Sequence, residues 1–176
     1  MKKQYLIVDG YNVIGNWPQL KKLKESDHLA AARDDLLHIL SEYRKYEETD
    51  IIVVFDAMYV PGITQRYDQY NLQVVFTSED ETADSYIEKL AEQLSSRITQ
   101  VTVVTSDQAE QWTVFSRGAL RISSHDFYRE VQRVKKDIQD DTKRYYDHRL
   151  NRNQPWNNQQ LLLLEKIRDQ LSNKKD

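Results

Sequence analysis

Asp50–Phe55, Leu72–Phe76 and Val101–Thr105 are short, rich in β-branched residues and almost continuously apolar, the pattern of strands covered on both faces. Gln4–Val8 and Ala119–Ile122 add two more candidate strands. Between them apolar residues recur at three- and four-residue steps: Leu29, Ala32, Leu36, Leu40 and Tyr43, then Ala83, Ile87, Leu90, Leu94 and Ile98. A third series, Phe127, Val131, Val134, Ile138 and Tyr145, marks a long charged helix. Strands that alternate with helices need right-handed crossovers, so the expected fold is α/β, with a mainly parallel sheet of about five strands and helices on both sides. One connection breaks the alternation. AMYVPGITQRYDQYN, between Asp56 and Leu72, is too short for a helical crossover and is expected to be a loop that carries function.

After Tyr146 the character changes. DHRLNRNQPWNNQQ is polar, with Pro155 as a breaker, and LLLLEKIRDQL offers a short helix. The expected organisation is therefore one domain over residues 1–146, followed by a polar linker and C-terminal helix over 147–176. At 176 residues the chain suits one well-buried core. No apolar run approaches the roughly 20 residues needed to span a bilayer, and MKKQYLIVDG turns acidic too soon for a signal peptide. With no cysteine, disulfides and thiolate metal sites are excluded, which suits a cytoplasmic protein. Four scattered histidines argue against zinc, so any bound metal should be a hard, oxygen-liking cation. The net charge of −3 conceals a split: Met1–Ser116 has 11 Lys and Arg against 19 Asp and Glu, whereas Arg117–Asp176 has 14 against 9. That division fits a protein holding metal in one region and attracting phosphate in another, and equally fits solvated helices of unequal sign.

Four hydrophobic runs or helix starts lead directly into a carboxylate: LIVD at Asp9, VVFD at Asp56, ETAD at Asp84 and VVTSD at Asp107. Ligands of open α/β sheets bind beyond the C-terminal ends of the strands, where Asp9, Asp56 and Asp107 are expected. Glu81 and Asp84, three apart at the head of a helix, should share a face on the same rim. Clustered carboxylates repel unless cations neutralise them, so the pattern points to Mg²⁺ or Mn²⁺. Each acid also has an ordinary explanation. Asp9-Gly10 is a hairpin dipeptide, Asp107 with Glu110 and Ser78 with Glu81 are capping boxes, and Asp84 is a first-turn acid. Their shared rim is what these separate explanations leave unaccounted for. Asn12 is placed to turn back toward Asp9 or a metal-bound water, and Ser106 to orient the neighbouring acid or cap a helix.

Together LIVDGYNVIG, VVFDA, FTSEDETADSYIEKLA and VTVVTSDQAEQWTVFSRGA resemble the NYN domain of PIN-like metal-dependent ribonucleases, and within it the YacP-like group, which includes a ribosome-associated bacterial endoribonuclease. The resemblance covers Lys3 to Tyr146. It implies a three-layer α/β/α PIN-like domain with a C-terminal helical extension, and hydrolysis of mRNA by metal-activated water in association with the ribosome. Metal would fall to Asp9, Asp84 and Asp107, with Asn12 as partner and Asp56 or Glu81 orienting the nucleophile. Gln111 stands where some relatives carry a further acid, beside Glu110.

For substrate, Tyr59, Arg66, Tyr67 and Tyr70 lie in the loop near the acidic rim, and Trp112, Arg117 and Arg121 follow the last motif. Aromatics stack on unpaired bases and arginines hold phosphates. Trp112 also fits an inward stripe with Phe115 and Ala119. The rival from another class is a ribosome- or RNA-binding module with this fold and little cleavage. A haloacid-type phosphatase is disfavoured by Tyr11, where a second aspartate would stand. A nucleotide cofactor is disfavoured by only 4 glycines and the lack of a Gly-rich phosphate loop.

Overall fold

In the computed structural model, which describes residues 2–57, 70–107, 118–153 and 158–172, the expected strands form as β1 (Lys3–Asp9), β2 (Asp50–Phe55), β3 (Gln73–Phe76), β4 (Thr99–Val104) and β5 (Leu120–Ile122). All pairings are parallel, in the order β3-β2-β1-β4-β5. The chain steps outward from β1 through β2 to β3, then returns to the other side of β1 for β4 and β5. Strand order therefore reverses beside β1, and the crevice beyond the C-terminal ends of β1 and β4 is where an open sheet takes its ligand.

Ile7, Ile52, Val54, Val101 and Val103 form one face of the sheet and pack against Ala83, Ile87 and Ala91 of α4 (Ala83–Leu94). The pleat sends Leu6 and Val8 to the opposite face. That side is covered by α1 (Gly10–Asn16), α2 (Pro18–Glu25), α3 (Leu29–Glu47) and the first turns of α5 (Ser124–Asn153). Val13, Ile14, Trp17, Leu20, Leu36, Leu40 and Phe127 are fully or almost fully buried. Each such large apolar side chain contributes about 1.5–3 kcal/mol relative to exposure. The α/β sandwich is thus the one the alternation predicts.

Three details differ from expectation. Ser95 closes α4 after Leu94, so Ile98 leaves the helical stripe and stands exposed in the turn before β4. Helices α1 and α2 replace what the sequence left unassigned between Asp9 and Leu29; α1 has only seven residues, too few to display a period. Helix α5 runs through Asn153, so the start of the polar stretch after Tyr146 is helical, and Tyr145 is exposed rather than part of an apolar stripe. The LLLL segment lies in α6 (Asn158–Ser172). The chain divides into two compact units, Met1–Lys135 and Lys136–Asp176. No helix among the described residues is long and apolar enough to cross a membrane.

Candidate active site

Strand β1 ends in Asp9, which is also the N-cap of α1: its Oδ1 accepts the Asn12 backbone N–H at 3.2 Å. The helix can begin at once because residue 10 is glycine. A Cβ there would stand 2.2 Å from the Phe55 ring. The Asp-Gly pair therefore makes a strand-to-helix turn and not a hairpin.

Register brings the other acids alongside. Asp9 pairs with Val54 and Val8 with Val104, so Asp56 lies two positions beyond Asp9's row on β2. Asp107 lies three beyond Val104, which puts it two beyond the same row. Asp9 shares the side of Ile7, the face on which α4 packs, and Asp56 and Asp107 follow just past the ends of the strands on either side of it. Helix α4 begins on that side with Asp84 in its first turn, and the Ala83 N–H reaches Asp56 Oδ2 at 3.4 Å. Its N-cap is Thr82, which accepts the Ser85 N–H at 3.3 Å, and not Ser78.

Asp9 is only 8% exposed. Burial pushes its carboxyl up from 3.8 to about 7; the Asn12 N–H opposes this, and the charges of Asp84, Asp107 and Asp56 add to it. Asp84 is also raised, first by burial and then by Asp107, Glu88 and Asp56. Acids from four separate segments thus feel one another's charge. Asp9, Asp56 and Asp84 line a cleft of about 270 Å³ whose wall also includes Tyr11, Asn12 and Lys24. Asp107 is exposed and is not among the residues that line it.

Glu81 stands apart from this group. It precedes the N-cap of α4, so it shares no helical face with Asp84, and its carboxylate is held by Lys89 at 2.6 Å. Asn12 contacts Asp9 through its backbone, not its side chain. Its side-chain oxygen instead accepts the Ser106 N–H at 2.9 Å and the Ser124 hydroxyl at 2.7 Å. Arg121 is exposed on edge strand β5, paired with Val103 and so on the same face as Asp9. Tyr59, Arg66, Tyr67, Trp112 and Arg117 lie outside the described residues, as do Glu110 and Gln111.

Three features of the site escaped the sequence reading. Lys24 depends on α2, which had no recognised period, although Pro18 at the first helical position was an available signal. Tyr11 packs its ring 5.1 Å from Phe55, and its hydroxyl accepts from the buried Arg33 at 3.2 Å. Ser124 reaches the site across 112 residues of chain.

Among the described residues no group of three or more His, Asp or Glu side chains stands so as to hold a metal ion. The donors fit a hard cation in another way. They are carboxylate oxygens on an open rim, and Mg²⁺ binds through one or two carboxylates while water and substrate phosphate complete its shell. Asp84, Asp107 and Asp56 add to the rise of the Asp9 carboxyl, a repulsion that a bound cation would relieve.

The model of the YacP-like NYN domain matches residues 6–169. Uncharacterized protein YacP of Bacillus subtilis (strain 168) is 47% identical over 134 residues, covering 76% of this chain and 78% of that protein. The crystal structure of Rae1 (YacP) from Bacillus subtilis superposes with a TM-score of 0.74 at 39% identity, covering 96% of this chain and 92% of that one. A mutant of Rae1 gives 0.72 at 43% identity, covering 82% and 84%. Sheet order, acidic rim and these similarities agree: the chain belongs to the YacP-like NYN domain family, a family of the PIN-like nuclease class.

Proposed function

We propose that the chain is a metal-dependent endoribonuclease that hydrolyses mRNA phosphodiester bonds in association with the ribosome, with residues 1–146 as the nuclease domain and 147–176 as its extension. The observation that carries this reading is the burial of Asp9 among three other acids. An uncompensated carboxylate there opposes folding, and a site that accepts this cost is organised around a cation. Asp9, Asp84 and Asp107 would hold Mg²⁺ or Mn²⁺, which supplies an activated water and charge neutralisation at the phosphate.

The chain's own groups account for the rest. Asp56, fixed by the Ala83 N–H, orients the attacking water, a role from which the pairing with Lys89 withdraws Glu81. Lys24 brings an ammonium to the same cleft, where it holds a phosphate oxygen. Asn12 has its oxygen engaged, so it offers substrate its amide N–H donors. No described histidine lines the cleft, which leaves acid-base work to carboxylates and water. RNA as the substrate follows from the family, and exposed Arg121 suits a phosphate further along the strand.

One observation favours the alternative of an RNA-binding module with little cleavage: among the described residues no group of three or more His, Asp or Glu side chains stands so as to hold a metal ion. The two readings separate when purified protein and Asp9→Asn are incubated with naked mRNA and with programmed ribosomes, each in Mn²⁺, Mg²⁺ or EDTA, and the RNA ends are mapped. Metal-dependent cuts that vanish in a folded Asp9→Asn support the nuclease. Undiminished cutting in EDTA or in Asp9→Asn refutes the metal mechanism, and RNA binding without cuts supports the module.

A further inference from the structure

We infer that Ser124, the first residue of α5, is a positioning residue for Asp107: it holds the segment that follows β4 through Asn12 and Ser106. Asn12 Oδ1 accepts the Ser106 backbone N–H at 2.9 Å and the Ser124 hydroxyl at 2.7 Å. The Ser106 hydroxyl accepts the Ser124 backbone N–H at 3.1 Å. Residues from α1, from the end of β4 and from the start of α5 thereby close a ring of three hydrogen bonds. The amide orientation is fixed by chemistry, because a backbone N–H needs an acceptor and only Oδ1 is one.

The ring is anchored in the core. Ser124 is completely buried, and its carbonyl accepts the indole N–H of the equally buried Trp17 at 2.8 Å. Asp107, in contrast, is exposed. Its own N–H is held by Thr105 Oγ1 at 3.1 Å, and the buried Thr105 donates its N–H to the Ile122 carbonyl at 3.1 Å. Asp107 thus owes its position to two buried residues, Thr105 directly and Ser124 through Ser106. A carboxylate that must meet Asp9 from β1 and Asp84 from α4 works only when held to about half an ångström. The consequence for catalysis rests on the proposed nuclease reading, whereas the holding of the segment does not.

The test compares the full-length protein with Ser124→Ala, Ser106→Ala and the double variant. Amide exchange at Ser106 and Ser124 is read by NMR, Mn²⁺ affinity by electron paramagnetic resonance, and kcat and KM on RNA. In Ser124→Ala the Ser106 amide should exchange about tenfold faster, Mn²⁺ affinity and kcat should each fall about tenfold, and KM should hold. The double variant should be no worse than either single, because both break one ring. Unchanged Ser106 exchange overturns the inference, as does a lowered melting temperature with Mn²⁺ affinity and kcat intact. If the wild type neither binds Mn²⁺ nor cuts RNA, the nuclease reading fails and the exchange rates alone decide the clamp. Should Ser124→Ala not fold, Ser106→Ala carries the same test through the Ser124 amide, since it leaves the buried residue in place.

Discussion

Gly10 lies so close to Phe55 that a Cβ on it would stand 2.2 Å from the ring Cε1. Phe55 has little freedom to withdraw, being fully buried and stacked on Phe76 at 5.4 Å. Gly10→Ala should therefore destabilise by about 2–3 kcal/mol and lower the melting temperature by roughly 5–10 °C. Calorimetry decides the point, and an unchanged transition would mean that Phe55 has another position to adopt. Because Gly10 follows Asp9 directly, the same substitution should also reduce cleavage at temperatures where the protein is still folded.

The folded protein holds the Asp9 carboxyl at about 7, against 3.8 for an ordinary aspartate, so between those values the folded state binds the extra proton. The stability this group lends is complete below pH 4 and is lost as the pH rises through 7. A shift of this size corresponds to at most about 4 kcal/mol. In EDTA, the stability of wild type relative to Asp9→Asn should therefore fall between pH 4 and 8, and Mn²⁺ at pH 8 should restore part of it. Urea titrations of both proteins across that range make the comparison, and a difference that stays flat with pH would contradict the buried charge.

Lys24 is the cation that lines the cleft among the described residues. Removing a charged contact to a phosphate oxygen costs on the order of tenfold in binding, so Lys24→Ala should raise KM for RNA about tenfold with a smaller change in kcat. Steady-state kinetics with a short RNA checks this. A loss confined to kcat would place Lys24 at the leaving group instead.

Asp56 and Glu81 both had a claim to orient the nucleophile, and the structure separates their surroundings. Asp56 lines the cleft and receives the Ala83 N–H, while Glu81 is paired with Lys89. Asp56→Asn should cut kcat by two orders of magnitude or about that. Glu81→Gln should leave it within about twofold and cost less than about 1 kcal/mol, because the pair is partly exposed. Single-turnover cleavage by the two variants distinguishes them.

The strands and their terminal acids were legible because both obey local rules. A β-branched run covered on both faces announces itself, and an acid at its end lands on the rim whatever the loops do. Asp9, Asp56 and Asp107 follow from that logic alone. What escaped the sequence is tertiary. Lys24 belongs to a short helix opened by Pro18, and the Asn12–Ser124 bond joins residues far apart in the chain. Glu81 was misplaced for a local reason: Thr82 outcompetes Ser78 as the cap, so the helix starts after Glu81 rather than beneath it. Tyr59, Arg66, Trp112 and Arg117 lie outside the described residues and remain expectations from their place in the sequence.

Strand β1 lies in the middle of the sheet, between a neighbour made soon after it and one made much later. A nascent chain that has emerged only as far as β3 possesses Asp9 and Asp56, yet it has nothing to set Asp107 beside them and no Ser124 to fasten it. The full set of acids is thus withheld until synthesis has passed Ser124. On the proposed reading, an unfinished copy poses no danger to the message from which it is being translated.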